Sequence, residues 1–407
     1  MLRFDFIPYP LWRRRFPAPL RAALRPIWSA FTTADADAHP PASDPAMIDY
    51  LVRGRLLAGN DARRALDALK AFSTPELHTP PALSAEPPAP ALPLRIRAQW
   101  EALEAVLMAF PTLYPPLWAS HAAMIAAISP AARVDLLVPS PEWARLAAFY
   151  LDQHRISLDH IRWIVLPTDD IWIRDYAPFF GIDASGQRAA VGAIYDPLPQ
   201  YPQARDDAVG AAYARLLGVP FIKLDIHTEG GNLWTDGAGT LIMTDDIYAR
   251  NPTLPADELE RRLRRALAFD RLIITPKLRF EETGHVDLMV KLADAHTVLA
   301  ASPAVPFNRE ALQRTAAILR AEGCRVFELP TPPPYLNWGV FAIWRSYTNA
   351  LTVNGRVLVP TFGINLDALA LAIYREAMPD YDIIPINCAA AANGGGAVHC
   401  LTHEVPR

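Results

Sequence analysis

The 407-residue sequence predicts an α/β fold in which five similar units surround a common axis, preceded by a small helical extension. Three observations lead to this prediction. Short apolar segments with the character of strands recur along the chain, polar or glycine-containing motifs stand beside them, and the motifs follow one another at nearly equal intervals. A single strand–helix unit cannot bury its own apolar face, so a closed radial arrangement is expected.

The repeated elements are read directly from the chain. Six segments have the composition of strands: VDLLVP, IRWIVLP, FIKLDI, LIITPK, CRVFELP and YDIIPI. The motifs are WIRD, EGGN, GHVD, YTN and GGGAVHC, marked by Asp175, Glu229, His285, Asn349 and Cys400, whose positions differ by 54, 56, 64 and 51 residues. Around a common axis the motif loops would meet, and residues remote in sequence would share one pocket.

The chain is expected to divide into three parts. Residues 1–72 form a basic, mainly helical extension, and the apolar spacing over 45–72 predicts one or two helices with a break at Gly59 and Asn60. Residues 73–94 contain seven prolines, a density that favours an extended linker. The catalytic domain is then expected over 95–407, with the TDGAG tract at 235–239 forming a hairpin turn.

Composition limits the partners and the compartment. A net charge of -4 and a pI near 6.2 disfavour nucleic acid and favour a small molecule or a peptide. Three cysteines without a CxxC pair predict a reduced setting. No run of 18 apolar residues exists, so we expect no membrane span, and the arginine-rich start lacks the apolar stretch of an export signal. A cytoplasmic protein is predicted, with export as the alternative.

The motifs contain the residues for one kind of chemistry. His285 and Asp287 stand two apart in GHVD and would project from the same face of an extended segment. Each of these motifs also has an ordinary interpretation. GHVD could contain a structural histidine, WIRD could be a solvated charged loop, EGGN could be a plain turn, and Cys400 could be an idle buried cysteine. Taken together, the motifs favour a site for a guanidinium group, a planar cation whose donors carboxylates match bidentately.

Each role follows from what that cation demands. Asp175 and Asp287 would bind it, and Cys400 would attack its central carbon. His285 would protonate the departing nitrogen, and Glu229 would orient and charge the imidazole. Further substrate contacts are predicted for Trp172, which could stack on the guanidinium plane, and for Gly230, Asn349, Gly395 and Gly396.

Neither a metal nor a cofactor is predicted. The sequence shows no set of His, Cys and carboxylate residues with metal-ligand spacing, and attack by a thiol needs no Lewis acid. Cys324 and Cys388 lack neighbours of this kind and are expected to be structural.

The sequence resembles the guanidine-modifying superfamily, and within it the branch of agmatine deiminases and bacterial peptidylarginine deiminases, from about Gln99 to Pro406. EGGN, the glycine tract and AQWEALEAVLMAFP resemble the former. IWIRDYAPFF, YTNALTVNGRVLVP, MPDYDIIPI and HCLTHEVP resemble the latter, although IYDPLPQYP at 194–202 lacks that group's arginine pair for a terminal carboxylate. The resemblance implies a five-bladed ββαβ pinwheel of the pentein type, and the roles given above to Cys400, His285, Asp175 and Asp287.

The expected reaction is hydrolytic deimination of an agmatine-like or arginine-derived substrate to a ureido product and ammonia. Agmatine would connect the enzyme with polyamine biosynthesis, and an arginyl peptide is the second substrate class. An amidinotransferase, a cysteine peptidase or amidase, and a non-catalytic binding protein remain as alternatives. The oligomeric state stays open, with a homo-oligomer among the choices.

Overall fold

In the described part of the chain the fold consists of small separate sheets, and a helical connection joins the parallel strands of five of them. The computed structural model describes residues 41–82, 87–196, 203–281, 283–337 and 341–407, and the side chains of 335–337, 341 and 342 are not described. Most of the arginine-rich start of the chain and of the 194–202 segment lies outside these residues.

Helices of the described part are short and run in chain order. They are α1 (Asp44–Arg53), α2 (Ala62–Ala71), α3 (Trp118–Ile128), α4 (Pro141–Gln153), α5 (Ile173–Tyr176), α6 (Ala204–Leu217), α7 (Asp246–Arg250), α8 (Ala256–Ala266), α9 (Arg309–Ala321), α10 (Asp367–Ala377) and α11 (Ala389–Ala392). Single 3-10 turns cover Gly59–Asp61, Pro115–Leu117, Gly230–Asn232, Val286–Leu288 and Pro306–Asn308.

Strands alternate with these helices. They are β1 (Leu77–His78), β2 (Arg95–Ile96), β3 (Leu103–Ala109), β4 (Arg133–Val138), β5 (Ile161–Val165), β6 (Phe179–Ile182), β7 (Arg188–Ile194), β8 (Phe221–His227), β9 (Trp234–Thr235) and β10 (Thr240–Thr244). The second half adds β11 (Arg271–Thr275), β12 (Val290–Leu292), β13 (Thr297–Ala301), β14 (Arg325–Leu329), β15 (Tyr335–Asn337), β16 (Phe341–Ile343), β17 (Leu351–Val353), β18 (Arg356–Thr361), β19 (Asp382–Asn387) and β20 (His403–Pro406). All six segments predicted to be strands are confirmed as β4, β5, β8, β11, β14 and β19.

Five sheets share one topology. In each, the first two strands pair antiparallel, and a helical connection leads from the second strand to a third strand that pairs with it in parallel. These sheets are β6–β7–β8, β9–β10–β11, β12–β13–β14, β17–β18–β19 and β20–β3–β4. β5 and β1 extend the last of these, β2 joins β6, and β15 pairs with β16 in a separate hairpin. Since β20 pairs with β3, chain segments about 300 residues apart complete one sheet.

The N-terminal helices join the core of the first sheet. The ring of Tyr50 on α1 meets Trp143 on α4 edge to face at 5.0 Å, and Leu69 on α2 is completely buried. Arg145 donates to the Leu69 carbonyl over 2.7 Å and pairs with Asp44. The predicted helices are therefore present, and the predicted break at Gly59 and Asn60 lies in the stretch between them, residues 54–61. The helices share the hydrophobic core of the sheet they cover.

The proline-rich segment lies on the body of the protein. Leu77 and His78 pair in parallel with Trp163 and Ile164, so this stretch contains a short strand where an unpaired extended linker was predicted. A strand pair supplies the backbone hydrogen bonds that a solvated linker would take from water. The division into extension, linker and catalytic domain stays a prediction.

Buried histidines make the stability of this fold depend on pH. His121 on α3 is fully buried, its Nδ1 lies 3.0 Å from the Leu117 carbonyl, and burial lowers its pKa to about 4. The ordinary pKa of histidine is near 6.5, so below that pH His121 takes up a proton in the unfolded chain but stays neutral in the folded protein. The contribution of His121 to the free energy of unfolding is therefore present above pH 6.5 and is lost as the pH falls towards 4.

We predict that His121→Gln reduces the slope of unfolding free energy against pH between 6.5 and 4, by at most about 1.4 kcal/mol per pH unit. Denaturant titrations at several pH values measure it. His296→Gln, at an exposed position, is the matched control and should keep the wild-type slope. Equal slopes for wild type and His121→Gln would show that His121 takes up its proton in the folded state.

Candidate active site

The five motif residues occupy equivalent places in the five sheets. Each precedes the strand that opens its sheet: Asp175 precedes β6, Glu229 precedes β9, His285 precedes β12, Asn349 precedes β17 and Cys400 precedes β20. The prediction that the motif loops come together is correct for these residues, because the contacts described below connect them. All five are buried or nearly so.

One half of the centre surrounds the imidazole of His285. Nε2 lies 2.7 Å from Glu229 Oε2, and Nδ1 lies 3.6 Å from Asp175 Oδ1. Burial alone would lower the pKa of His285, but the carboxylates of Asp175 and Glu229 outweigh it and raise the pKa to about 10. His285 is thus an imidazolium at neutral pH, in the form that can donate a proton.

The other half surrounds the thiol of Cys400. Sγ lies 3.8 Å from Asp287 Oδ2 and accepts a hydrogen bond from Asn349 Nδ2 over 3.1 Å. Burial raises the pKa of Cys400 well above its usual value, and the negative charges of Asp287 and Asp175 raise it further. The resting cysteine is therefore a neutral thiol, and it needs a nearby positive charge to become a thiolate.

Asn349 holds the cysteine segment rather than facing outward. Its Oδ1 accepts from the backbone amides of Ala397 and Cys400 over 3.1 and 3.2 Å, and its Nδ2 donates to Asp287 Oδ2 over 3.0 Å as well as to Cys400. The side chain is completely buried. These hydrogen bonds make Asn349 a support for the segment that carries Cys400. The substrate contact predicted for Asn349 stays a prediction.

The segment with GHVD is not extended. Val286–Leu288 is a 3-10 turn, so His285 and Asp287 do not project together from a strand face as predicted. Instead His285 faces Glu229 and Asp175, while Asp287 faces Asn349 and Cys400. The turn places the base and the carboxylate on two sides of one centre.

Several residues around the centre were not identified from the sequence. His399 Nδ1 lies 2.7 Å from Asp287 Oδ2, and the ring stacks on Trp234 at 4.8 Å. Beneath the cysteine segment, Arg174 forms a buried two-pronged ion pair with Glu404 at 3.1 and 2.5 Å and donates from Nε to the His399 carbonyl over 3.3 Å. No local motif indicates these pairs, because their partners lie more than 100 residues away.

The predicted glycines fit the closeness of the site segments. A Cβ on Gly230 would lie 2.1 Å from the Arg174 carbonyl oxygen, and one on Gly396 would lie 2.4 Å from the ring of Trp172 and 2.9 Å from Cys400 Cβ. Gly230 and Gly396 are therefore required because chain segments pack together there. Gly395 is required for a different reason, since its φ of +92° is one that other residues rarely adopt. Contact of Trp172 and the glycines with substrate stays a prediction.

Three donor groups also meet at metal-binding distance, which the sequence spacing did not indicate. One ligand atom each of Asp175, Glu229 and His285 lies within 4.8 Å of the other two. Two of these groups already bind each other, because His285 Nε2 and Glu229 Oε2 share the hydrogen bond described above.

The site combines a buried thiol, an imidazolium and carboxylates beside both. This set indicates the class of enzyme, since it suits attack on a cationic carbon centre rather than on a neutral amide. A cysteine peptidase would have no need for Asp175 and Asp287 together. Over the described residues, no helix combines the length and the apolar character that crossing a membrane requires.

Comparisons with known proteins agree. The sequence profile of the Porphyromonas-type peptidyl-arginine deiminases matches residues 95–406. Agmatine deiminase of Pseudomonas fluorescens is 30% identical over 333 residues, 72% of this chain and 88% of its own length, and that of Ectopseudomonas mendocina is 30% identical over 328 residues with the same two shares. The solved agmatine deiminase of Enterococcus faecalis superposes with a TM-score of 0.69 at 23% identity, over 77% of this chain and 96% of its own.

The chain therefore belongs to the family of Porphyromonas-type peptidyl-arginine deiminases, in the branch of guanidine-modifying enzymes that contains these and the agmatine deiminases. Its fold is the mixed α/β pentein fold. It is a hydrolase that acts on C–N bonds of linear amidines. The resemblance and the enzyme class predicted from the sequence are confirmed.

We predict that Gly396→Ala lowers kcat by about a hundredfold, since the new methyl group must displace Trp172 or Cys400 and a shift of about 1 Å at a reacting atom costs that much. Gly59→Ala is the matched control, because a Cβ there meets its nearest neighbour at 3.9 Å. Steady-state kinetics and a melting curve of each variant measure the effect. A Gly396→Ala enzyme with the wild-type kcat would show that this contact does not set the position of Cys400.

Proposed function

We propose that this enzyme hydrolyses a guanidinium substrate to a ureido product and ammonia through a covalent intermediate on Cys400. The observation that carries the proposal is the place of two carboxylates. Asp175 and Asp287 each act electrostatically on both the Cys400 thiol and the His285 imidazole. A cation bound between them would meet the nucleophile and the proton donor together.

The charge of the centre favours one cation. Asp175, Glu229 and Asp287 provide three carboxylates, while His285 and Arg250, which pairs with Glu229 at 2.9 Å, provide two positive charges. A guanidinium group would balance the remaining negative charge. Its arrival next to Cys400 would also lower the thiol pKa, which burial and the two carboxylates hold high.

The reaction then proceeds in two halves. The Cys400 thiolate bonds to the guanidinium carbon, and the C–N bond breaks as His285 gives its proton to the departing ammonia. Water attacks the resulting thiouronium carbon and gives a proton to the now neutral His285. The C–S bond breaks as the second proton of that water passes to the sulfur, which releases the ureido product and restores the Cys400 thiol. The proton that the thiol gives up when substrate binds leaves with ammonia as ammonium. His285 is suited to both steps because it holds its proton at neutral pH and Glu229 accepts its hydrogen bond.

The arrangement of the five sheets supports the same view. We propose that they stand as the blades of a five-bladed pinwheel, with the opening strand of each blade next to the axis. The support is the common topology of the five sheets and the contacts among their five motif residues. An enzyme built in this way can draw one functional residue from each blade.

Agmatine-like substrates are the first choice. The relatives quoted above are agmatine deiminases, EGGN contributes Glu229, and the sequence at 194–202 offers no arginine pair for a carboxylate. Asp169 and Asp196 are not available to the ammonium group of agmatine. Asp169 accepts a hydrogen bond from the Arg205 amide over 3.0 Å, and Asp196 pairs with His227 at 2.5 Å. An arginyl peptide is the second choice, and the family's own description favours it.

Cys400→Ala should abolish turnover and retain substrate binding, because it removes the nucleophile and leaves Asp175 and Asp287 in place. Ammonia release measures the first effect and calorimetric titration with agmatine the second. Asn393→Ala, a buried change in the same segment, is the control for local disturbance. Turnover by Cys400→Ala at a tenth of the wild-type rate or more would refute the covalent route.

The substrate class has its own test. Agmatine should exceed an arginyl peptide with a free terminal carboxylate by more than about tenfold in kcat/KM, about 1.4 kcal/mol of transition-state preference. The peptide's carboxylate would enter a centre that already holds an excess of negative charge. Product analysis for ureido compounds, with free and methylated arginines as further substrates, measures the ranking. A tenfold preference for the peptide would replace agmatine by peptidyl arginine.

A further inference from the structure

Arg250 lies next to Glu229, the hydrogen-bond partner of His285, and its positive charge also acts on Asp175. It is the last residue of α7, and about a quarter of its side chain is exposed. Nη1 lies 2.9 Å from Glu229 Oε1, on the opposite carboxylate oxygen from the one that meets His285. Glu229 is thus held between a guanidinium and an imidazolium.

The same guanidinium holds the backbone that carries His285. Its Nη2 donates to the Thr283 carbonyl over 3.3 Å, two residues before His285. Its Nε donates to Asp246 Oδ2 over 2.9 Å, and Asp246 itself packs so closely on Gly284 that a Cβ there would lie 2.7 Å from its carboxyl carbon. The planar fork of Arg250 therefore joins the Glu229 segment to the His285 segment.

Asn251, the residue after Arg250, holds the chain just before Glu229. Asn251 Nδ2 donates to the His227 carbonyl over 2.8 Å, and the His227 amide donates back to Asn251 Oδ1 over 2.9 Å. Glu229 follows two residues later. The end of α7 thus holds Glu229 by its side chain and by the chain leading to it.

We infer that Arg250 is a positioning residue for the acid–base histidine, which fixes Glu229 against His285 and limits by its positive charge how tightly Glu229 holds the imidazolium proton. The inference rests on the role proposed above for His285. Without Arg250, Glu229 would bind the proton more strongly, and a proton held more strongly is given up to ammonia more slowly.

The charged surroundings of His285 set the direction of the effect. The groups that face it are Asp175 on α5, Glu229 after β8, Glu281 and Asp287 on its own segment, and, behind Glu229, Arg250 on α7. Four of these five are acids. Removal of the one cation therefore raises the pKa of His285, whereas simple loosening of Glu229 would lower it.

The test compares Arg250→Met with Arg250→Lys, which keeps the charge but cannot reach Glu229, Asp246 and the Thr283 carbonyl together. Lys277→Met is the matched control, since Lys277 contacts Asp246 at 2.6 Å on the far side from Glu229. Three quantities are measured for each: kcat and KM, the melting temperature, and the NMR titration of the His285 ring, assigned by its loss in His285→Ala.

We expect Arg250→Met to lower kcat by about tenfold to a hundredfold with KM within about threefold, because Asp175 and Asp287 both stay in place. The His285 titration should move to higher pH, Arg250→Lys should restore part of both effects, and Lys277→Met should match the wild type. A kcat within twofold of wild type would overturn the inference. So would a lower kcat with an unchanged or lowered His285 titration, which would indicate a structural role alone.

The two proposals fail separately. If the wild-type enzyme releases no ammonia from any guanidine, the proposed function is wrong. The NMR comparison needs no substrate, so it still decides whether Arg250 controls the proton on His285.

Discussion

The centre is organised by carboxylates buried next to a thiol and an imidazole. Buried charges are costly unless they are paired, and here the pairs are shared: Glu229 binds His285 and Arg250, and Asp287 binds His399 and Asn349. Burial and the charges that keep His285 protonated together keep Cys400 neutral. In the proposed mechanism Cys400 becomes a nucleophile only when a cation enters, which would limit its reaction with other electrophiles.

The fold supplies this arrangement by repetition. Each functional residue stands just before the opening strand of its sheet, so small sheets of one topology can deliver five different side chains to one place. Close packing between these segments is made possible by glycines at Gly230, Gly231 and Gly396, where a Cβ would collide with Arg174, His285 and Cys400 or Trp172. The proposed chemistry thus depends on backbone contacts as much as on the reactive side chains.

Much of this was predictable from local sequence. Apolar periodicity within short stretches predicts the six strands and the helices of 45–72. The nearly equal intervals between the five motifs predict that they meet in one place. The 3-10 turn at Val286–Leu288 was missed because two residues cannot distinguish a turn from a strand. Arg250 and the pair of Arg174 with Glu404 were missed because charged residues usually face solvent, and their partners are brought near only by the fold.

The proposed mechanism requires a bond between Cys400 and the guanidinium carbon. Mass spectrometry of the His285→Ala enzyme, quenched after mixing with agmatine labelled with ¹³C at that carbon, tests for this bond. We expect an adduct on the peptide that contains Cys400, carrying the label and lacking one nitrogen of the substrate, because the hydrolytic half has lost its base. An unmodified Cys400 peptide in an enzyme that still converts agmatine, or a label on another residue, would contradict it.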